Sequence, residues 1–373
     1  MLISSKGRIA LLTGTVLSIG FAAPALADEN TADKQEPQSN YPMVSGEVVI
    51  ELQNEYTTDS DDPATDDYNN MFLRTEVAPT IQFNENFSID GVLVFENIQD
   101  REPNEDNFFD NEGIFIEEIK LNYENGPWAA WAGKFNPGFG VGWDFRGIWG
   151  EDFAEDYEIT EKIGVGASYT FATEGFGTHT FAANTFFADT TFLSGSVITK
   201  RDVLDKDDGG VSNTEDFSSF VVSLSGEDLA GVENLYYTLG YRNQSEGDVD
   251  TGGDNETGFV VTLGHNFAVS ERVEMDALVE YVDINNFEAG TDDNRYLTTS
   301  LITTIDDQWN VTASYTSRDI DSTAGDSDDH LFQLSGGYDF GQGTTAEIGW
   351  RNAEEGNVDT DIVGALVRHT FEF

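Results

Sequence analysis

Cysteine is absent from the 373-residue chain, which excludes a disulfide framework, thiolate metal sites and cysteine nucleophiles in one step. Basic residues are scarce: 18 Lys and Arg stand against 70 Asp and Glu, for a formal net charge of −52. That balance excludes nucleic acid and anionic lipid surfaces as partners, because like charge repels them. Strong acidity is also a mark of disordered chains, but aromatic and β-branched residues recur throughout, and acidic disordered chains are poor in both. Proline is rare, at eight residues. Past residue 27 no run of about 18 consecutive apolar residues occurs, so the rest of the chain has no helical membrane span. If it lies in a membrane, only a closed barrel satisfies its backbone there.

The one long apolar run is at the start. Lys6 and Arg8 precede a mostly apolar stretch from Ile9 to Phe21, and Ala25-Leu26-Ala27 supplies a small-x-small site before Asp28. This is the pattern of a cleaved export signal. The competing reading is an uncleaved helix from Ile9 to Ala27, against which stand Gly14, Gly20, Pro24 and the cleavage motif. The expected organisation is a signal peptide over 1–27, a polar periplasmic tail over 28–42 and one barrel domain over 43–373.

What the chain has in quantity is glycine (37), phenylalanine (27) and tyrosine (13). That composition suits many short strands and turns with aromatics for interfacial belts. About sixteen alternating segments are legible, with ends uncertain by two to four residues. They run over 44–56, 71–83, 87–97, 113–123, 128–135, 161–171, 179–188, 217–226, 235–243, 257–267, 273–283, 295–305, 309–318, 330–340, 344–352 and 361–373. Tight connections such as Asn84–Asn86, Asp306–Gln308 and Gly341–Gly343 alternate with long acidic ones at 57–70, 98–112, 136–160, 189–216, 244–256, 284–294, 319–329 and 353–360. Short periplasmic turns and longer extracellular loops are the habit of outer-membrane barrels, and an even strand number leaves both termini on the periplasmic side.

Parity sorts the charges. If Leu73, Val77 and Ile81 face lipid, Arg74 and Glu76 face the lumen; Ile119 and Leu121 outward leave Lys120 inward. By the same rule Tyr241 outward leaves Arg242 inward, Tyr315 leaves Arg318, and Trp350 leaves Arg351. A cation at mid-bilayer costs about 2–4 kcal/mol, so the agreement carries weight. Glu117, between Phe115 and Ile119, breaks the rule and belongs at a rim or beside a bulge. Phe83, Phe87, Tyr123, Trp128, Phe171, Phe267, Trp309, Phe340 and Phe373 sit where strands meet turns, as a periplasmic girdle requires. A sandwich core is the other home for such aromatics. In the last segment Val363, Ala365, Val367, Phe371 and Phe373 alternate with Arg368 and Glu372. This ending resembles the closing strand of Gram-negative outer-membrane barrels.

The third long connection runs from Gly133 through Phe139-Gly140, Trp143, Asp144, Phe145 and Trp149 into Glu151, Asp152, Glu155, Asp156 and Glu158. Glycines and aromatics together indicate a folded loop. With this loop, about sixteen strands and the terminal Phe, the chain resembles the general porins of Gram-negative outer membranes from about Val44 to Phe373. The resemblance implies an all-β transmembrane antiparallel barrel with the third loop folded into the lumen. It also implies a homotrimer in outer-membrane lipid and passive diffusion of small hydrophilic solutes and ions. On its terms the loop acids at the constriction are Asp144, Glu151, Asp152, Glu155 and Asp156, and the facing wall cations are Arg74, Lys120, Arg351 and Arg368. Phe371 and Phe373 end the closing strand. The enterobacterial Pro-Glu-Phe-Gly-Gly loop sequence is missing, which leaves the constriction residues open.

Carboxylates near the mouths predict a cation preference. A sugar-specific channel is the alternative, with Trp143, Phe145 and Trp149 as a stacking track. A barrel hydrolase would draw on His179, His265, His330 or His369, yet no G-x-S-x-G or H-E-x-x-H motif occurs, and no enzyme activity or cofactor is expected. Acidic runs at Asp59–Asp62, Asp205–Asp208 and Asp326–Asp329 offer oxygens to divalent cations, but none matches a calcium-loop pattern, and no metal site is assigned.

Overall fold

The computed structural model describes residues 41–99, 105–145, 147–149, 152–247 and 254–373. The expected signal peptide, nearly all of the polar tail, and Glu151 lie outside the described residues.

The strands are β1 (Met43–Ser60), β2 (Asn69–Gln82), β3 (Phe87–Asn97), β4 (Asn107–Phe108), β5 (Glu112–Asn125), β6 (Trp128–Phe135), β7 (Lys162–Thr173), β8 (Gly177–Ala188), β9 (Ser219–Glu227), β10 (Leu235–Gln244), β11 (Glu256–Ser270), β12 (Val273–Asn285), β13 (Asp293–Ile305), β14 (Trp309–Asp321), β15 (Ser327–Gly341), β16 (Thr344–Glu355) and β17 (Val358–Glu372). Each long strand pairs antiparallel with the next, and β17 pairs back onto β1, so the wall is a closed barrel of sixteen strands. The two-residue β4 is an extra piece lying parallel to the top of β2. At the seam, the Gly46 N–H donates to the Phe373 carbonyl (3.1 Å) and the Phe373 N–H donates to the Gly46 carbonyl (3.0 Å). Closure removes the free edges that lipid does not tolerate.

All sixteen segments expected from alternation are strands. Several run further toward the loops: β14 continues to Asp321 and β15 begins at Ser327, with Asp319 opposite Asp328. The ladder there extends past the hydrocarbon, where polar residues carry the hydrogen bonds and the apolar period no longer marks them. Glu117 sits at a bulge: Glu118 pairs with Val92 while Ile116 pairs with Leu93. The extra residue flips the parity above it, so Phe115 turns inward and is buried, whereas strict alternation from Ile119 would have turned it outward.

Outward positions carry the apolar belt, with Leu52, Leu121, Val261, Leu263, Val311 and Val367 all exposed. The periplasmic girdle is a chain of ring contacts through Trp128, Tyr169, Phe171, His179 and Tyr237. It continues at Trp309–Tyr338–Phe340 and His369–Phe371. His265 stacks on Phe267 in the same belt. Dry packing lies inside the barrel, beneath the third loop (136–161). There Phe139, Ala154, Tyr157 and Ile159 of the loop pack on Phe186, Val221, Val260, Val282, Ile284 and Tyr296 of the wall. A second cluster joins Ile148 and Trp149 to Ile362 and Leu366 of β17.

Candidate pore constriction

The third loop leaves the wall after Phe135 and lies against the inner face of β8 to β17. Three wall arginines hold it by one repeated device, a guanidinium stacked on a loop aromatic and bonded to a nearby loop oxygen. Arg242 of β10 lies 4.6 Å from the Phe139 ring centre and donates to the Tyr157 carbonyl (2.6 Å). Arg318 of β14 lies 4.2 Å from Phe153 and pairs with Asp156 (2.8 Å), while also meeting Asp329 and Glu355 (2.6 Å each). Arg351 of β16 lies 5.6 Å from Trp149 and pairs with Asp152. Stacking and charge-assisted bonding act together in each case.

A carboxylate completes the anchorage from the opposite sign. Buried Glu280 of β12 accepts from the Val141 and Gly142 N–H groups (2.8 Å each), from the Tyr157 hydroxyl (2.6 Å) and from Thr262. The tip is seated at the barrel seam, where the Trp149 indole N–H donates to Glu55 (2.6 Å). Its ring lies over Gly349 and Gly364, a cross-strand pair. A Cβ on Gly364 would stand 2.5 Å from Trp149 Cζ2, and one on Gly349 2.9 Å from Cζ3. Gly364→Val is therefore expected to unseat Trp149 and cost about 1–3 kcal/mol, the usual penalty of overpacking. A lower unfolding midpoint in detergent checks it.

The opening lies on the other side of the loop, bounded by β17, β1, β2, β3 and β5. Its wall cations are matched by wall acids. Arg74 lies 3.0 Å from Glu96, 3.5 Å from Glu76 and 3.7 Å from Glu51. Lys120 is 2.7 Å from Glu118, and Arg368 pairs with Glu51. Across from them stand the loop carboxylates Asp144, Glu155 and Glu158, for which no cation lies within ion-pair distance among the described residues. Burial between loop and wall pushes Asp144 up to about 7, against the pull of Arg368 and with a further push from Glu76. Burial likewise raises Glu158 to about 7, Asp144 adding to it, Arg74 opposing it, and Glu118 and Glu96 reinforcing it. Glu155 is raised well above the ordinary carboxylate range by burial and by Glu158.

Of the residues expected at the constriction, Asp152 meets Arg351, but beneath the loop. Arg368 acts electrostatically on Asp144, and Arg74 on Glu155 and Glu158, while Lys120 is paired with Glu118 within the wall. Phe371 and Phe373 end the closing strand at the seam. Sequence reasoning missed the anchoring roles of Arg242, Arg318 and Glu280. Parity had placed both arginines inward; nothing in the sequence said that the loop would cover them. The aromatics offered as a sugar track are differently employed. Phe145 and Trp149 are buried, and Trp143 packs on the apolar cluster.

No protein-family model matches the chain, and no curated protein matches it by sequence. Solved structures do. The outer membrane channel DcaP of Acinetobacter baumannii is 13% identical, with a TM-score of 0.55 over 88% of this chain and 96% of that one. Salmonella typhi OmpF, solved with daunomycin, is 14% identical, with a TM-score of 0.59 over 88% and 97%. The outer membrane protein OpdK of Pseudomonas aeruginosa is 8% identical, with a TM-score of 0.56 over 89% and 99%. The fold is that of the Gram-negative outer-membrane porins.

Proposed function

We propose that the protein is an outer-membrane porin of a Gram-negative bacterium, a water-filled channel for passive diffusion of small hydrophilic solutes and ions with a preference for cations. The observation that carries the preference is the charge balance at the opening. Arg74, Lys120 and Arg368 are each engaged by wall glutamates, so they do not offset Asp144 and Glu158 on the loop. A crossed field of loop acids against free wall cations, the arrangement implied by the resemblance to general porins, is thereby weakened. What remains is an acidic passage, which concentrates cations and repels anions. Homotrimeric assembly belongs to the same proposal and rests on the shared fold.

The test is a planar-bilayer recording in a KCl gradient. An ohmic current whose reversal potential has the sign of K⁺ permeation is expected. A reversal potential of the Cl⁻ sign removes the selectivity, and absence of conductance from correctly folded protein removes the channel.

A further inference from the structure

The barrel wall has a gap, and loop four fills it. β6 departs for the lumen at Phe135, so its pairing with β5 stops at Ile119 and Lys134. β5 itself continues up to Glu112 with β3 on one side only. Ile114 stands opposite Phe95, an outward aromatic near the top of the apolar belt. An unpaired strand edge at that level sets bare N–H and C=O groups against hydrocarbon, which membrane barrels do not tolerate.

The fourth loop (189–218) supplies the missing partners. The Ile114 N–H donates to the Ser196 hydroxyl (3.0 Å), and the Val197 N–H donates to the Ile114 carbonyl (3.3 Å). Lys134 donates to the Ile116 carbonyl (2.7 Å). By pairing with outward Ile119, Lys134 has lipid-facing parity, yet its side chain is only 1% exposed. Its ammonium meets Glu161 (2.8 Å), Ser194 (2.7 Å) and Asp189 (3.0 Å). Arg201 pairs with the same Glu161 and lies 3.7 Å over the Phe115 ring. The approach of the loop to β5 is close: a Cβ on Gly113 would stand 2.8 Å from Ser196 Oγ. Polar groups of the loop thus point into the gap, while Phe192, Val197 and Ile198 are 86%, 84% and 63% exposed.

We propose that residues 194–198 take the place of β6 in the upper membrane wall, and that Phe192, Val197 and Ile198 contact the hydrocarbon of the outer leaflet. Val197 is bonded beside Ile114, and below it on β5 and β3 the outward row runs on through Phe95, Ile116 and exposed Leu93. Attachment at the upper end of that apolar row is what selects lipid as the occupant. The segment is then part of the transmembrane wall, in a stretch that length and acidity alone assign to the aqueous loops.

The absence of cysteine makes the test clean. Val197→Cys and Ile198→Cys in the full chain, labelled with a nitroxide and reconstituted into phosphatidylcholine vesicles, are compared with Leu263→Cys in the belt and Asp207→Cys in the aqueous part of the same loop. The ratio of oxygen to nickel-chelate accessibility at 197 and 198 is expected to match that at 263 and exceed that at 207 several-fold. A ratio like that at 207 overturns the proposal. So does shielding from both reagents with spin–spin broadening that vanishes on mixing with unlabelled protein, which would mark contact with a second copy. In the unsubstituted protein, the Ile114 and Val197 amides are expected to exchange hydrogen as slowly as their neighbours in β3. Exchange as fast as at Asp207 overturns it equally.

Discussion

Replacing both Arg318 and Arg351 by alanine is expected to give a channel with larger and noisier unitary currents. These two arginines hold the third loop through Asp156 and Asp152, and each also stacks on a loop aromatic. The carboxylates of Asp156 and Asp152 keep 29% and 25% of their side-chain surface in solvent, so losing the arginine costs less than it would in a fully buried pair, about 1–3 kcal/mol at each site. At about 1.4 kcal/mol per tenfold, each substitution shifts the docked-to-undocked ratio of the loop by roughly 5- to 150-fold. The barrel ladder is untouched, since both side chains lie outside the strand hydrogen bonds. The loop, still held by Glu280 and Arg242 and at Trp149 by Glu55 but loosened between them, would sample open positions and intermittently relieve the constriction. Lysine at the same positions should restore charge but not stacking or the forked geometry, and so recover only part of the wild-type trace. Arg272→Ala is the control, because Arg272 pairs with Asp306 in a tight turn away from the opening and touches no anchor. Planar-bilayer recording reads all four proteins. Quiet, wild-type-sized currents from the double variant would show that the loop does not depend on these arginines.

The barrel was legible because lipid imposes a rule that each strand must obey by itself: apolar residues at alternate positions, aromatics at the ends, charges on the opposite parity. Leu73 with Arg74, or Trp350 with Arg351, carries that information within two residues. The constriction obeys no such local rule. Arg242, Arg318, Arg351, Arg74 and Arg368 all read alike as inward cations, and only the path of the loop decides which are buried as anchors and which border the opening. Glu280 looks like any other inward acid, although it binds two loop amides. The bulge at Glu117 was detectable as a violation of parity, and its place beside the departure of β6 explains why the rule fails there. Lys134 is a different case. Its outward parity is masked in the sequence by its nearness to the loop, and its partners come from Glu161, Asp189 and Ser194, up to sixty residues away.

Lowering the pH from 8 to 6 is expected to reduce the preference for K⁺ over Cl⁻ sharply, and Asp144→Asn with Glu158→Gln is expected to abolish most of that dependence. Both carboxyls are raised to about 7, so they are largely charged above that pH and largely neutral below it. The direction follows from the sign of the shift. An ordinary aspartate or glutamate, titrating near 4, would stay ionised across this window and give a flat profile. Loss of two negative charges on the loop side of the opening removes the potential that concentrates cations there. The remaining wall acids Glu51, Glu76, Glu96 and Glu118 are engaged by Arg74, Arg368 and Lys120, so they offset the loss little. The double variant at pH 8 should therefore reproduce the weak selectivity of the unsubstituted channel at pH 6. The recordings belong at an ionic strength of about 0.1 M or below, where the Debye length of about 10 Å still spans such an opening. Reversal potentials that do not move between pH 8 and 6, or a double variant that keeps the full pH dependence, would place the selectivity-determining charge elsewhere, in the acidic loops above the barrel.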